Sequence, residues 1–241
     1  MLLAIDAGNS FVKLAYHDGT AWQAQQRIAL TTFCQVPGIF ISIQPQQIII
    51  ANVAGPTLRA ALESVLPDTP AHWVKATPRS IGVTNLYDYP EQLGVDRWAM
   101  LIAAHAMTQQ DCAVISCGTA LTVDLLAGDG KFMGGVIAPG IDLMRTALLH
   151  GTHAVQPQQG QVRALPKNTA DAVETGLVYA LLGGIERAVN EFQTQLQRPI
   201  SLILTGGAAH LIAPYLNRPA QVVDNLVLEG LRLIAQEETG L

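Results

Sequence analysis

The chain begins with a short apolar run, Leu2-Leu3-Ala4-Ile5, that ends on the carboxylate of Asp6. Ala7-Gly8-Asn9-Ser10 makes a small polar turn. After it Val12, Leu14 and Tyr16 alternate with Lys13, Ala15 and His17, the period of a strand. Asp18-Gly19 is a hairpin signal, and Trp22, Ala24, Gln26 and Ile28 give a weaker third alternation. An antiparallel meander is predicted, with an Asp-x-Gly-Asn turn between its first two strands. A glutamine-rich, proline-punctuated stretch over 31–47 reads as helix or loop. Residues 48–53 form a continuous apolar run, the pattern of a strand buried on both faces. Pro56 opens a helix over 57–66, and 72–74 is a candidate short strand.

Residues 78–95 carry little regular pattern, and a connection of that length inside a compact domain is usually functional. Trp98, Leu101, Ile102 and His105 then form the i, i+3, i+4, i+7 stripe of a helix running to about residue 107. His105 on that stripe reads as a satisfied core histidine. Residues 111–140 repeat the opening plan: an apolar run at 113–115, a turn Ser116-Cys117-Gly118-Thr119, an alternation over 121–126, a turn Gly128-Asp129-Gly130, and a third strand over 132–137. A shift of 110 residues lays Gly118 on Gly8, Thr119 on Asn9 and Ser116 on Asp6. The repeat suggests two meander-led domains of one topology, divided as 1–110 and 111–241. The rest reads as a helix over 141–149, a glutamine-rich loop over 151–167, and a long helix capped by Asn168-Thr169-Ala170-Asp171. A buried strand over 201–205 ends on Gly206-Gly207, followed by helices at 211–216 and 226–236.

Composition narrows the function. Hydrophobic residues make up 49% of the 241 and charged residues 14%, which allows a large core and hints at a subunit interface. A net charge of −5 with no Lys/Arg cluster argues against nucleic acid as partner. The three cysteines have no zinc-site spacing and fit a reducing compartment. Asp6 interrupts the N-terminal apolar stretch, and no apolar run approaches the roughly 20 residues of a membrane span. A cytoplasmic protein with no membrane segment is expected.

Three glycine turns, at Gly8, Gly118 and Gly206-Gly207, close three apolar strands. The N–H groups of such turns can cradle phosphate, and Asp6 can hold the accompanying magnesium ion. The first turn is not a P-loop, because strand rather than helix follows it. Any single glycine could merely end a strand, and Asp6 could be an ordinary turn residue. Three turns sharing one architecture favour nucleotide binding, with two gripping the polyphosphate and the third meeting the nucleoside.

Four segments make the reading specific: Asp6-Ala7-Gly8-Asn9-Ser10, Pro90-x-x-Leu93-Gly94-Val95-Asp96-Arg97-Trp98, Gly118-Thr119-Ala120-Leu121-Thr122 and Gly134-Gly135-Val136-Ile137-Ala138-Pro139-Gly140. Their order and spacing resemble type III pantothenate kinase over nearly the whole chain. The Gly-x-Asp-Arg-Trp element is the most diagnostic. The resemblance implies two actin-like (ribonuclease H-like) α/β domains, each opening with a three-stranded antiparallel meander on a mixed sheet. It also implies a homodimer that phosphorylates pantothenate with magnesium-ATP in the first step towards coenzyme A. Carried over by position, Asp6, Ala7, Gly8, Asn9, Ser10, Phe11, Val12 and Lys13 form the first phosphate loop, and Thr119 contacts ATP. By the same resemblance Asp96 would be the general base. Tyr87, Gly94, Val95, Asp96 and Arg97 contact pantothenate, with Thr169 reaching it from the neighbouring subunit. On the residues alone, Asp96 could instead cap a helix, Arg97 could form a surface salt bridge, Tyr87 could pack on the core, and Thr169 could be only a cap.

The chain departs from the family at Ser116. Many members carry aspartate there as the ligand of a monovalent cation, potassium or ammonium, and a hydroxyl offers one weak ligand without charge. Either another group replaces the cation or neighbouring carbonyls hold it; Asp124, in the following strand, does not substitute. Asp142 and Arg145 could approach the nucleotide or cap the helix after Gly140, the cap being the favoured reading, and His150 and His153 carry no recognisable role. Two rival functions remain on the same fold: a nucleotide-binding regulator, which would not need Asp96 and Arg97, and a phosphatase that uses water as acceptor.

Overall fold

The computed structural model describes residues 1–33, 44–152 and 159–239. Most of the expected helix or loop at 31–47, part of the loop at 151–167, and both Cys34 and His153 lie outside them. In chain order the first half contains β1 (Leu2–Ala7), β2 (Phe11–His17), β3 (Trp22–Ala29), α1 (Leu30–Phe33), β4 (Gln47–Asn52), α2 (Pro56–Glu63), β5 (Ala71–Trp73), β6 (Arg79–Ser80), β7 (Val83–Asn85) and α3 (Val95–Met107). The second contains β8 (Cys112–Cys117), β9 (Ala120–Leu126), β10 (Lys131–Pro139), α4 (Ile141–Gly151), α5 (Thr169–Leu196), β11 (Ser201–Thr205), α6 (Ala209–Ile212), β12 (Gln221–Val222) and α7 (Leu226–Thr239). The chain forms two compact units. One comprises 1–109, 130–132 and 225–241; the other comprises 110–129 and 133–224.

In the first unit five strands lie in the order β3-β2-β1-β4-β5. β1 runs antiparallel to β2, from Leu2↔His17 to Ala7↔Val12, and parallel to β4, from Leu2↔Gln47 to Ala7↔Asn52. The apolar run of β4 is explained by its central place: Ile48 and Ile50 join Leu3, Ile5, Leu14 and the α2 residues Leu58 and Leu62 in one core. Ile49, equally buried, belongs to the opposite face. Burying each isoleucine contributes roughly 1.5–3 kcal/mol. Helix α2 ends at Glu63, three residues before the expected bound; Ser64 keeps helical angles and the Leu66 N–H still donates to the Leu62 carbonyl at 3.0 Å, so the helix frays through a last turn ahead of Pro67.

Residues 78–95 are not the irregular connection expected. They hold the hairpin β6–β7, pairing Arg79↔Thr84 and Ser80↔Val83 about a turn with φ of 47° at Ile81 and 76° at Gly82. Lys131 and Phe132, the start of β10, add to this hairpin in parallel with Thr84 and Asn85. Strands of two or three residues are too short to leave a readable alternation.

Helix α7 joins the first unit and packs along α3. At the crossing Gly230 approaches so closely that a Cβ there would stand 1.9 Å from the Ala99 carbonyl oxygen. At an open helical site, alanine would favour the helix over glycine by about 1 kcal/mol. Here backbone meets backbone, so the sign reverses. Gly230→Ala is expected to lower unfolding free energy by roughly 1–3 kcal/mol, measured by denaturant titration; a stabilised variant would contradict this packing.

The second unit's sheet runs β12-β11-β8-β9-β10. β8 is antiparallel to β9 and parallel to β11, which in turn is parallel to β12. Counted within each unit, the order is third-second-first-fourth-fifth in both, the actin-like arrangement. Helix α5 covers this sheet with Leu177, Val178, Leu181, Ile185 and Val189 against Ile115, Val123, Leu202 and Leu204. The internal repeat is imperfect at the turn. Ala7↔Val12 leaves residues 8–11 in the first loop, whereas Cys117↔Leu121 leaves only 118–120 in the second. Among the described residues no helix is long and apolar enough to cross a membrane.

Candidate active site

In the first unit Asp6 lies near the end of β1 with 8% exposure, directly across the ladder from Lys13. Lys13 Nζ stands 3.7 Å from Asp6 Oδ2. Burial pushes the Asp6 carboxyl from 3.8 up to about 6, with Lys13 opposing the rise and the charge of Asp96 adding to it. The loop that follows is fixed by its backbone. Gly8 N–H donates to the Phe11 carbonyl at 3.0 Å, and Val53 N–H donates to that of Ala7 at 3.1 Å. Ala7 and Val12 are fully buried, and the Arg27 guanidinium lies 3.5 Å over the Phe11 ring. These three can offer a ligand only backbone or ring edge. Asp6, Asn9, Ser10 and Lys13 supply the polar side chains.

Asp96 enters from α3. Gly94, with φ −54° and ψ 132°, is the N-cap, and Asp96 is the second helical residue. The capping alternative is therefore excluded in its simple form, although Asp96 Oδ1 does accept the Arg97 N–H at 2.8 Å. Burial raises the Asp96 pKa; the Arg97 N–H, the Arg97 guanidinium and Lys13 all oppose that rise. The carboxylate occupies the space a side chain at 94 would need, since a Cβ there would be 2.7 Å from Asp96 Oδ1. Arg97 is 4% exposed rather than a surface cation. Its guanidinium carbon lies 5.6 Å from the Tyr87 ring and 5.8 Å from that of Phe132, and the two rings lie 5.1 Å apart.

Two residues in this arrangement were missed from sequence. Buried Asn85 accepts the Tyr87 N–H at 3.1 Å and donates to the Pro90 carbonyl at 3.0 Å, which ties down the loop carrying Tyr87. Phe132 arrives from the start of β10, with no local pattern to announce it. Asn85, a polar residue at the end of β7 between Thr84 and Leu86, was the only available signal.

The second unit holds the other predicted residues. Ser116 lies opposite Thr122 on β8–β9, and the Thr122 hydroxyl is buried without a hydrogen-bond partner. Asp124 is fully buried opposite Val114, in the following strand as expected. Thr119 lies in the β8–β9 turn. Thr169 is the exposed first residue of α5, whose cap is Asn168, accepting the Asp171 N–H at 2.8 Å. Arg145 joins Asp142 at 2.6 Å and Glu174 at 3.1 Å, tying α4 to α5; Gly140, not Asp142, caps α4. His105 differs from the satisfied core histidine expected. It is half-buried and its Nδ1 lacks a hydrogen-bond partner, while the Nε2 edge of the ring lies close to Gly82, 3.1 Å from where a Cβ would stand.

Two carboxylates opposed by one lysine and one arginine leave Asp6 and Asp96 poised for a cation and a proton. A divalent ion at Asp6 fits this donor set, because its charge would offset the desolvation that, with the charge of Asp96, raises the carboxyl. Around Ser116 and Thr122 the oxygens are neutral hydroxyls, and among the described residues no group of three or more His, Cys, Asp or Glu forms a metal site. Cys112 and Cys117 are buried free thiols pushed up to about 12, far from reactivity.

Gly94→Ala keeps allowed backbone angles but displaces the Asp96 carboxylate. It is expected to leave the melting temperature within a few degrees and lower kcat by about 10- to 100-fold; unchanged turnover would contradict the placement. Asp6 gives a pH prediction. Its folded pKa lies above the ordinary value, so the stability it adds is fully present below pH 3.8 and lost as pH rises to about 6. The loss in the ligand-free protein is roughly 3 kcal/mol. Asp6→Asn should remove this slope and raise the melting temperature at pH 7; a lower melting temperature there would refute it.

The family model described as type III pantothenate kinase matches residues 2–191. A type III pantothenate kinase of Nitrosospira multiformis is 40% identical over 240 residues, covering 98% of this chain and 92% of its own. One from Dechloromonas aromatica is 39% identical over 238 residues, covering 98% and 99%. Among solved structures, a candidate Baf family transcriptional activator from Campylobacter jejuni aligns with a TM-score of 0.66 and 22% identity, covering 99% of this chain and all of that one. At that identity the likeness shows the fold alone.

Proposed function

The chain belongs to the type III pantothenate kinase family, and from that premise we propose that it transfers the terminal phosphoryl group of ATP to the primary hydroxyl of pantothenate, opening coenzyme A synthesis. The observation that carries the reading is the half-buried Asp96 carboxylate, raised by desolvation and electrostatically coupled to Lys13. Phosphoryl transfer needs positioning and charge neutralisation above all, and these residues can supply both. Asp96 accepts the hydroxyl proton as the oxygen attacks, and the raised pKa makes it a better base near neutrality. Arg97, held by the aromatic pair, and Tyr87 orient pantothenate, with Gly94 and Val95 contributing backbone because Val95 is buried. The loop from Asp6 to Lys13 binds the nucleotide phosphates, and Thr119 contacts ATP. Magnesium at Asp6 would neutralise charge on those phosphates.

The working form is a cytoplasmic homodimer in which Thr169 reaches the partner's substrate; its exposure at the start of α5 leaves it free to do so. Ser116 and Thr122 would give a monovalent cation only weak ligation, so potassium or ammonium is expected to have a small effect.

The test is phosphopantothenate formation from magnesium-ATP and pantothenate, with sodium, potassium or ammonium, on a sample whose mass is read by light scattering. Wild type should form product as a dimer, with rates within about threefold across the cations. Asp96→Asn should retain ATP binding and lose about 100- to 10,000-fold in kcat. No product under any cation would overturn the kinase and leave the regulatory reading. ATP hydrolysis without phosphopantothenate would favour the phosphatase. An unchanged Asp96→Asn rate would remove the base.

A further inference from the structure

The segment Gly134-Gly135-Val136-Ile137-Ala138-Pro139-Gly140 has so far no role. In the second unit its last residue lies against the β8–β9 turn. Gly140 N–H donates to the Thr119 carbonyl at 2.9 Å. A Cβ at 140 would stand 2.1 Å from the Gly118 oxygen and 2.6 Å from that of Thr119. A second glycine meets the same turn from β11. A Cβ on Gly206, where φ is +95°, would lie 2.6 Å from the Cys117 carbonyl carbon, and Ala208 N–H donates to the Cys117 oxygen at 3.0 Å. The two carbonyls flanking Gly118 are thus held by two other strand ends. No side chain fits at either contact without moving the turn by roughly 1 Å.

We propose that Gly140 and Gly206 are positioning residues for nucleotide binding. They form a side-chain-free backbone clamp that holds the 117–119 turn in the shape from which Thr119 meets ATP. The proposal rests on the reading of Thr119 as an ATP contact. The first turn is held at the equivalent carbonyls, Val53 N–H donating to that of Ala7 at 3.1 Å and Leu30 N–H to that of Ser10 at 3.0 Å, with no glycine among the donors; at the second turn, three residues long and closed on Ala120 by the Gly118 N–H at 3.1 Å, glycines make both close approaches. Anchoring the Thr119 carbonyl fixes the whole peptide plane that follows it, and so the origin of the threonine side chain.

Gly140→Ala and Gly206→Ala are to be compared with Gly134→Ala by ATP titration calorimetry and by steady-state kinetics. Gly134 has φ of +126° with open space around it, so alanine there is strained but touches nothing. The two clamp variants should bind ATP about 10- to 100-fold more weakly with an unchanged KM for pantothenate. Gly134→Ala should lose stability alone. Folded clamp variants with wild-type ATP affinity would overturn the proposal. So would an equal weakening in Gly134→Ala, which would mark a general stability effect. If neither clamp variant folds, amide exchange on the wild type decides: magnesium-ATP should slow the Gly140 and Ala208 amides, and no slowing would overturn the clamp. Wild type that binds no ATP would instead defeat the parent reading.

Discussion

Asp6 and Asp96 are charged groups removed from water within electrostatic reach of each other, and Lys13 only partly offsets them. Folding around such a pair is unfavourable, since a buried carboxylate that lacks full compensation either shifts its pKa or destabilises the chain. The rest of the first unit overcomes that desolvation cost. The β1 ladder fixes Asp6 opposite Lys13 at one end of a strand whose other residues are apolar and buried. Helix α3, almost wholly apolar after its first turn and braced by α7, holds Asp96 at its own N-terminus. Stability spent on this arrangement returns as reactivity: the same desolvation that raises a carboxyl also strengthens its pull on a hydroxyl proton and a cation.

The aromatic pair makes the neighbouring arginine tolerable in the interior. Arg97 is as buried as many core residues, and its guanidinium lies near the faces of Tyr87 and Phe132. A weakly hydrated, planar cation suits that setting better than an ammonium would. Asn85 then fixes the loop that presents Tyr87, so base, cation and aromatic contact are all referred to the backbone of one unit.

Legibility in the sequence follows periodicity. The opening meander, the apolar run of β4, α3 and the long α5 were all readable because each exceeds one period of its own repeat. The internal duplication was visible at Gly8 and Gly118, and both units do share one strand order. Its one-residue slip at the second turn was not, because register is set by pairing rather than by composition. The pieces that failed were short or non-local. β6, β7 and β12 have two or three residues each, Phe132 reaches Arg97 across a long sequence gap, and nothing in the apolar spacing of α7 indicates which unit it joins. Among the site residues, identity was legible from motif and environment was not: the burial of Arg97 beside two aromatic rings left no mark on the sequence, and the cap of α3 fell on Gly94.

The account stands on the Asp96 carboxylate facing the acceptor oxygen. A crystal structure with pantothenate and a non-hydrolysable ATP analogue measures this directly. The primary hydroxyl should lie about 2.6–3.2 Å from an Asp96 carboxylate oxygen, with the terminal phosphate over the loop that follows Asp6. Pantothenate bound with its hydroxyl turned away from Asp96, or seated against a different face of the protein, would contradict it.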